Sequence, residues 1–235
     1  MSNFELPTVL PASFTGKVRI FPLPNLVLFP NVMQPLRIFE PRYRALFEDA
    51  LAGDKLIAMA LLAPGWERDY DGRPPIYPVA CLGKIATYNR LEDGTYNLLL
   101  WGMRRVRLLQ EHDAARPFRE ATVKVYEEIA PPTDAVTQAD LQRKLQKAFL
   151  NVLPRMPEAH EQFEQLVGND LPLSVFTDTI AYLLDIGLEA KATLLGEPNV
   201  VRRAQILLKH LHAASLDDSL SPLSCQCFPP RFSLN

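Results

Sequence analysis

Four prolines, Pro22, Pro24, Pro30 and Pro35, punctuate a largely apolar stretch that runs up to Glu40. Each lacks a backbone donor and pushes its predecessor out of the helical region. No helix accepts that spacing, so the stretch is predicted to be extended segments joined by fixed kinks. Glu40-Pro41 reverses the pattern, because proline fits the first position of a helix. Tyr43, Leu46, Phe47, Ala50 and Leu51 then recur at helical spacing and Gly53 follows as a stop, which predicts a helix over residues 41–52. Such a beginning reads as the front edge of a β-domain that binds something.

The period stays close to two until about residue 130. Residues 17–21 and 26–29 read as short strands, and the continuous apolar run 56–62 reads as a buried one. Residues 79–90 and 95–103 form a hairpin through Leu91-Glu92-Asp93-Gly94, whose Asp-Gly pair tolerates positive φ. The alternation continues over 104–110, with Val106 and Leu108 on one face and Arg105 and Arg107 on the other, and residues 118–127 form a last strand. Between the strands, residues 63–78 make a loop rich in proline, glycine and charge that carries Trp66, Tyr70 and Tyr77. Six or seven strands with one early helix predict a partly closed β-barrel, since closure hides the edges of such a sheet.

Past Pro131-Pro132 the period becomes 3.6. Leu141, Leu145, Ala148, Phe149 and Val152 form one stripe behind a capping pair, Thr137 with Asp140. Phe163, Leu166 and Val167 mark a short second helix. A third opens at Asp170-Leu171-Pro172 and is read as ending at Gly187, and residues 188–195 form a short fourth ending at Gly196. Val200, Ala204, Leu207, Leu208 and Leu211 stripe the last helix, with Arg202, Arg203, Lys209 and His212 off that stripe. The class is therefore α+β. The expected organisation is an N-terminal extension (1–16), a β-barrel (17–130), a helical bundle (131–214) and a loosely ordered tail (215–235).

Composition narrows the function. The first 129 residues carry 16 Lys and Arg against 15 Asp and Glu, and the remainder is mildly acidic. Neither part has the positive excess that bulk nucleic-acid binding requires. The 3 cysteines, Cys81, Cys225 and Cys227, cannot all pair, which suits a reduced, cytoplasmic protein. The amino terminus does not read as a secretory leader, and the longest apolar run is far short of the roughly 20 residues that cross a bilayer. No metal or cofactor is expected. Cys225-Gln-Cys227 offers one thiol pair only, and His210 and His212 point to different sides of a helix. His112 and His160 read as solvated. No serine has the flanks of a nucleophile elbow, and only Ser174 falls within the ordered core; Glu48-Asp49 and Asp217-Asp218 read as solvated faces.

Three constellations remain. Glu40, Arg42 and Arg44 flank the start of the first helix and read first as a local ion-pair set, with Glu40 pairing Arg105, and second as a grip on a partner's charge. Trp66, Tyr70 and Tyr77 read either as a roof over the barrel's open end or as a peptide-binding surface on a rigid scaffold. Arg104, Arg105, Arg107, Arg116 and Arg119, with Trp101 nearby, form the one basic cluster, but Glu111, Asp113 and Glu120 interleave with it.

The ordered motifs also resemble a family. Residues 23–30 and then Pro35-Leu36-Arg37-Ile38-Phe39-Glu40-Pro41-Arg42-Tyr43-Arg44 resemble the opening of the Lon protease amino-terminal, or substrate-binding, domain. Val79-Ala80-Cys81-Leu82-Gly83, the hairpin from Gly94, and Gly102-Met103-Arg104-Arg105 follow in the family's order, and Leu183-Leu184 with Arg203 is similar to its helical part. The resemblance covers roughly 17–213 and implies a PUA-like barrel followed by helices, with Glu40, Arg42, Gly83, Gly102 and Arg105 as structural motif residues. It implies a non-catalytic module that recognises unfolded or regulated protein segments, in an adaptor or chaperone-like quality-control role and beside a separate protease. Phe39, Tyr43, Trp66, Tyr70 and Tyr77 are the expected peptide contacts, in an apolar cleft that barrel and bundle form between them. The chain lacks a phosphate-cradling Gly-x-x-x-x-Gly-Lys-Ser/Thr loop, so neither energy use nor cleavage is expected. Two alternatives stay open at this point: a peptidase-associated or cryptic hydrolase activity, and RNA binding by the barrel. A homo-oligomer is also open.

Overall fold

Five strands turn apolar side chains into one interior. The computed structural model describes residues 9–113, 115–129, 135–152 and 171–216. One compact unit runs to Tyr126 and another begins at Glu127. The first contains β1 (Lys17–Leu23), β2 (Met33–Ile38), α1 (Pro41–Ala52), β3 (Leu56–Leu61), β4 (Val79–Arg90), β5 (Tyr96–Glu111) and β6 (Arg119–Val125). The sheet order is β2-β5-β4-β3-β1-β6, and β5 pairs a second time with β6. Five strands therefore close into a barrel, with β2 attached outside the ring to the first half of β5. β1 and β3 run parallel, and the other pairs are antiparallel.

The interior is filled by Val18 and Ile20, Leu56, Ala58 and Ala60, Ala80 and Leu82, Met103 and Val106, Ala121 and Val123. Four alanines among these suit a small barrel, where opposing side chains must alternate in size. All six residues of β3 are buried, because one of its faces looks inward and α1 packs on β1, β2 and β3. α1 presents Tyr43, Leu46, Phe47 and Ala50, the i, i+3, i+4, i+7 set that one helix face offers. The ring of Phe47 meets those of Tyr88 and Tyr96 at 5.5 and 4.7 Å.

Several expectations change. Residues 26–29 form no strand. Gly102 instead ties the neighbouring loop, donating to the Val32 carbonyl and accepting from the Asn31 N–H, both at 2.8 Å. A Cβ on Gly102 would lie 2.0 Å from the Phe29 carbonyl oxygen. The strand that forms here, β2, contains Pro35, which an outer strand tolerates because its unpaired side needs no donor. The two predicted strands 95–103 and 104–110 are one, β5. Met103 is the extra residue at the register shift, since Leu82 faces Arg104 while Gly83 faces Gly102. Arg105 does lie opposite Val106, yet it is buried, because alternation assigns a face and not what covers it.

The second unit contains α2 (Ala135–Val152), α3 (Leu173–Leu183), α4 (Leu188–Gly196) and α5 (Val200–Leu216). α5 packs on the other three, and Leu145, Phe149, Phe176, Ile180, Leu207 and Leu211 are at most 1% exposed. Thr137 and Asp140 lie inside α2 rather than ahead of it, and Asp140 pairs with Lys144 one turn on at 2.6 Å. α3 ends at Leu183, so Gly187 does not terminate it; with φ at 75° it opens α4. Arg203, expected off the apolar stripe, is fully buried. It donates to the Glu128 carboxylate at 2.5 Å, the Glu197 carbonyl at 3.0 Å and Thr177 Oγ1 at 3.3 Å, and pairs with Asp178 at 3.2 Å. The predicted helix around Phe163, together with His160, Asp170, Cys225 and Cys227, lies outside the described residues. No helix among the described residues is long and apolar enough to cross a membrane.

Candidate functional site

The loop between β3 and β4 is tied at its base. Leu62 bridges Ile76, and Ala63 and Tyr77 donate to the carbonyls of Pro75 and Leu61 at 2.8 and 2.9 Å. Gly65, at φ 89°, takes the left-handed conformation that starts a short 3-10 turn over Trp66–Asp69. Trp66 then meets Tyr70 edge to face at 5.5 Å.

Tyr70 folds back on the start of α1. Its hydroxyl donates to one oxygen of Glu40 at 2.7 Å, Arg42 Nε donates to the other at 2.9 Å, and Arg42 Nη1 donates to the Tyr70 carbonyl at 3.0 Å. The Arg42 guanidinium lies over the rings of Tyr43 and Tyr70, at 4.7 and 4.6 Å. Its Nη2 is buried with no hydrogen-bond acceptor among the described residues. Burial, and then the bond to Glu40, push the Tyr70 phenol upward. The Tyr43 phenol is raised further, chiefly by burial, and it donates to the Pro22 carbonyl at 3.3 Å. Glu40 is thus held by Arg42 and Tyr70, and Arg44 reaches the Gly94 carbonyl at 3.4 Å.

Beside this knot the first unit opens a cleft of about 300 Å³, between the loop, the start of α1 and the segment leading into β6. Pro22, Tyr43, Leu62 and Phe118 give it apolar wall, and Arg42, Arg73, Arg116 and Arg119 give it cations. Arg119 is almost buried, held by Glu111 through Nε at 2.9 Å and Nη2 at 2.6 Å and donating from Nη1 to the Pro74 carbonyl. Arg116 pairs with Asp49, which also accepts from Arg19 Nε at 2.5 Å. Burial pushes the Asp49 carboxyl up, but the hydrogen bonds and charges of Arg19 and Arg116 outweigh it and hold the group below the usual carboxylate range. Asp49 is therefore a structural hub rather than a solvated face.

Of the five expected contacts, Tyr43 and Tyr70 line the cleft and Trp66 backs Tyr70. Phe39 is 42% exposed, one residue before Glu40, and Tyr77 is half-buried at the loop's base; neither is on the cleft wall. The basic cluster divides. Arg116 and Arg119 join Arg42 and Arg73 at the cleft, Arg105 is buried, and Arg107 lies over the Tyr126 ring at 4.8 Å. In the sequence Arg73 belongs to the 63–78 loop, and Arg116 and Arg119 to the basic cluster. Nothing in their spacing signals one cleft, since barrel closure brings them together. Gly83 leaves room for Leu100, whose Cγ would be 2.7 Å from an added Cβ.

The family model described as the ATP-dependent protease La (LON) substrate-binding domain matches residues 17–213. Curated relatives include Lon protease 1 of Bdellovibrio bacteriovorus, 27% identical over 84% of this chain and 24% of its own length. Lon protease of Dictyoglomus thermophilum is 28% identical over 88% of this chain and 24% of its own. The chain thus spans about a quarter of the length of these relatives. Among solved structures, the N-terminal domain of a Mycobacterium avium complex Lon protease aligns with a TM-score of 0.67 at 18% identity, covering 87% of this chain and 100% of that domain. A Lon N-terminal domain protein from Xanthomonas campestris aligns at 0.56 and 21% identity, covering 82% of this chain and 97% of that one. At these identities the structural likeness establishes the fold.

Proposed function

We infer function from one premise: the chain belongs to the ATP-dependent protease La (LON) substrate-binding domain family. From it we read a non-catalytic module that grips exposed segments of other protein chains, without nucleotide. The observation that carries this reading is the cleft beside α1, where a tied loop holds Tyr70 and Trp66 against Arg42 and Tyr43. Aromatic rings fixed on a rigid barrel offer large contact area at little entropic cost. A cleft of about 300 Å³ is at the small end of ligand pockets and admits a side chain or two, so each contact is weak and affinity comes from several. Weak, repeated contact suits an adaptor or chaperone-like role in cytoplasmic quality control, with a separate protease acting on what is held.

The test is a titration of the isotope-labelled chain with a permanently unfolded, carboxymethylated carrier protein, without ATP. Amide shifts are expected around Phe39, Tyr43, Trp66 and Tyr70, and the carrier should stay intact with or without ATP. Shifts confined to a different surface, or turnover of the carrier, would overturn the reading.

A further inference from the structure

We propose, resting on the protein-recognition reading above, that the cleft selects segments bearing a carboxylate next to an apolar side chain. The placement of charge carries this. Four arginines line the cleft, whereas Glu40, Asp49, Glu120 and Glu111, the carboxylates that pair with three of them, do not. Asp71 is the one acidic residue on the wall. Cations that face a concavity, with their counter-charges behind them, make its potential positive even where the whole surface is neutral.

The donor inventory agrees. Arg73 spends Nη1 on the His112 carbonyl at 2.7 Å, and Arg116 spends Nη1 on Asp49. Arg116 Nε also forms a loose ion pair with Glu120 at 3.9 Å, but the remaining guanidinium N–H groups of both arginines have no hydrogen-bond acceptor among the described residues, and both side chains are exposed. Arg119, by contrast, is saturated by Glu111 and Pro74. A carboxylate placed between Arg73 and Arg116 would take the unspent donors in the forked geometry that guanidinium favours. Tyr43, Phe118 and Pro22 then offer apolar wall for a neighbouring side chain. An acidic residue and a free chain end present the same carboxylate chemistry, and the experiment separates them.

Three acetylated peptides serve as probes: Gly-Ser-Gly-Gly-Leu-Phe with a free carboxyl end, the same peptide as its amide, and Gly-Ser-Gly-Glu-Leu-Phe as an amide. Each is titrated into the labelled full chain and followed by the backbone amides of Gly72, Arg73 and Phe118. At least one carboxylate-bearing peptide should bind about tenfold more tightly than the neutral amide, the value of one charge-assisted bond. Preference for the free end identifies a chain terminus, and preference for the glutamate identifies an acidic side chain. The preference should fall as sodium chloride is raised. In the Arg73→Gln/Arg116→Gln variant the preference should vanish, so that the three peptides bind alike. Both side chains are exposed and Asp49 keeps Arg19, so the fold should persist; Arg73→Gln alone is the fallback, with a partial loss expected. Equal binding of all three peptides, or a preference that survives the variants, overturns carboxylate selection and leaves peptide recognition standing. No shift with any peptide overturns both.

Discussion

Replacing Arg203 by methionine should weaken the helical unit more than any surface change could. The side chain is 0% exposed, and the Asp178 carboxylate paired with it is 1% exposed. Truncation deprives that carboxylate of its guanidinium counter-ion. It also leaves the Glu197 carbonyl and Thr177 hydroxyl without the donors they now receive. The contact with Glu128 adds less, because that side chain is 34% exposed. Breaking a buried pair by removing one partner costs about 3–5 kcal/mol. With a urea dependence of about 2 kcal/mol per molar, the midpoint should drop by about 1.5–2.5 M. Far-UV ellipticity follows the helices, while tryptophan fluorescence follows Trp66 and Trp101 of the first unit separately. The pair also makes a second expectation. Arg203→Met combined with Asp178→Leu should recover most of the loss, because an apolar pair carries no desolvation penalty. A single-variant loss below about 1 kcal/mol, or a double variant no better than the single, would refute the account.

Three further perturbations test other parts. Asp49 is held below the usual carboxylate range in the fold, so its contribution is present above the unfolded value of about 3.9 and is lost as pH falls through the lower folded value. The Tm gap between the native chain and Asp49→Asn should therefore be open at neutral pH and close in acid; a gap independent of pH would count against the Arg19–Asp49–Arg116 cluster. Lys191 donates to the Tyr182 carbonyl at 2.8 Å, and burial lowers its amine to about 8 despite the opposing pull of Asp185. The unfolded state then holds the extra proton between about 8 and about 10.4, so stability rises across that interval. Lys191→Met should stabilise at pH 7, with a gain that fades over the same window in urea titrations. Gly102→Ala forces a Cβ onto the Phe29 backbone and should cost about 3 kcal/mol or more. Gly65→Ala meets open space and carries only the left-handed penalty of about 1–2 kcal/mol, so equal midpoints would sink the distinction.

Legibility followed the range of the forces. α1 and β4 lie where periodicity put them because a proline at the first helical position, a turn at Asp93-Gly94 and runs of matched alternation act over a few residues. Barrel closure was legible as a need, since many strands with apolar faces must hide their edges. β2 was not legible: a strand holding Pro35 is acceptable only at the outside of a sheet, and which strand is outermost is a property of the assembled sheet.

The same limit governs the sites. Local sequence determined the loop's aromatics, the α1 start and the amphipathic stripe of the last helix, because those depend on neighbours within a turn or two. Tertiary structure alone decided that Arg203 is interior, that Asp49 joins Arg19 to Arg116, and that arginines from a helix, a loop and the approach to β6 share one cleft. A periodic pattern states which way a side chain points. Whether water, an acid or another arginine stands there depends on chain that returns from tens of residues away.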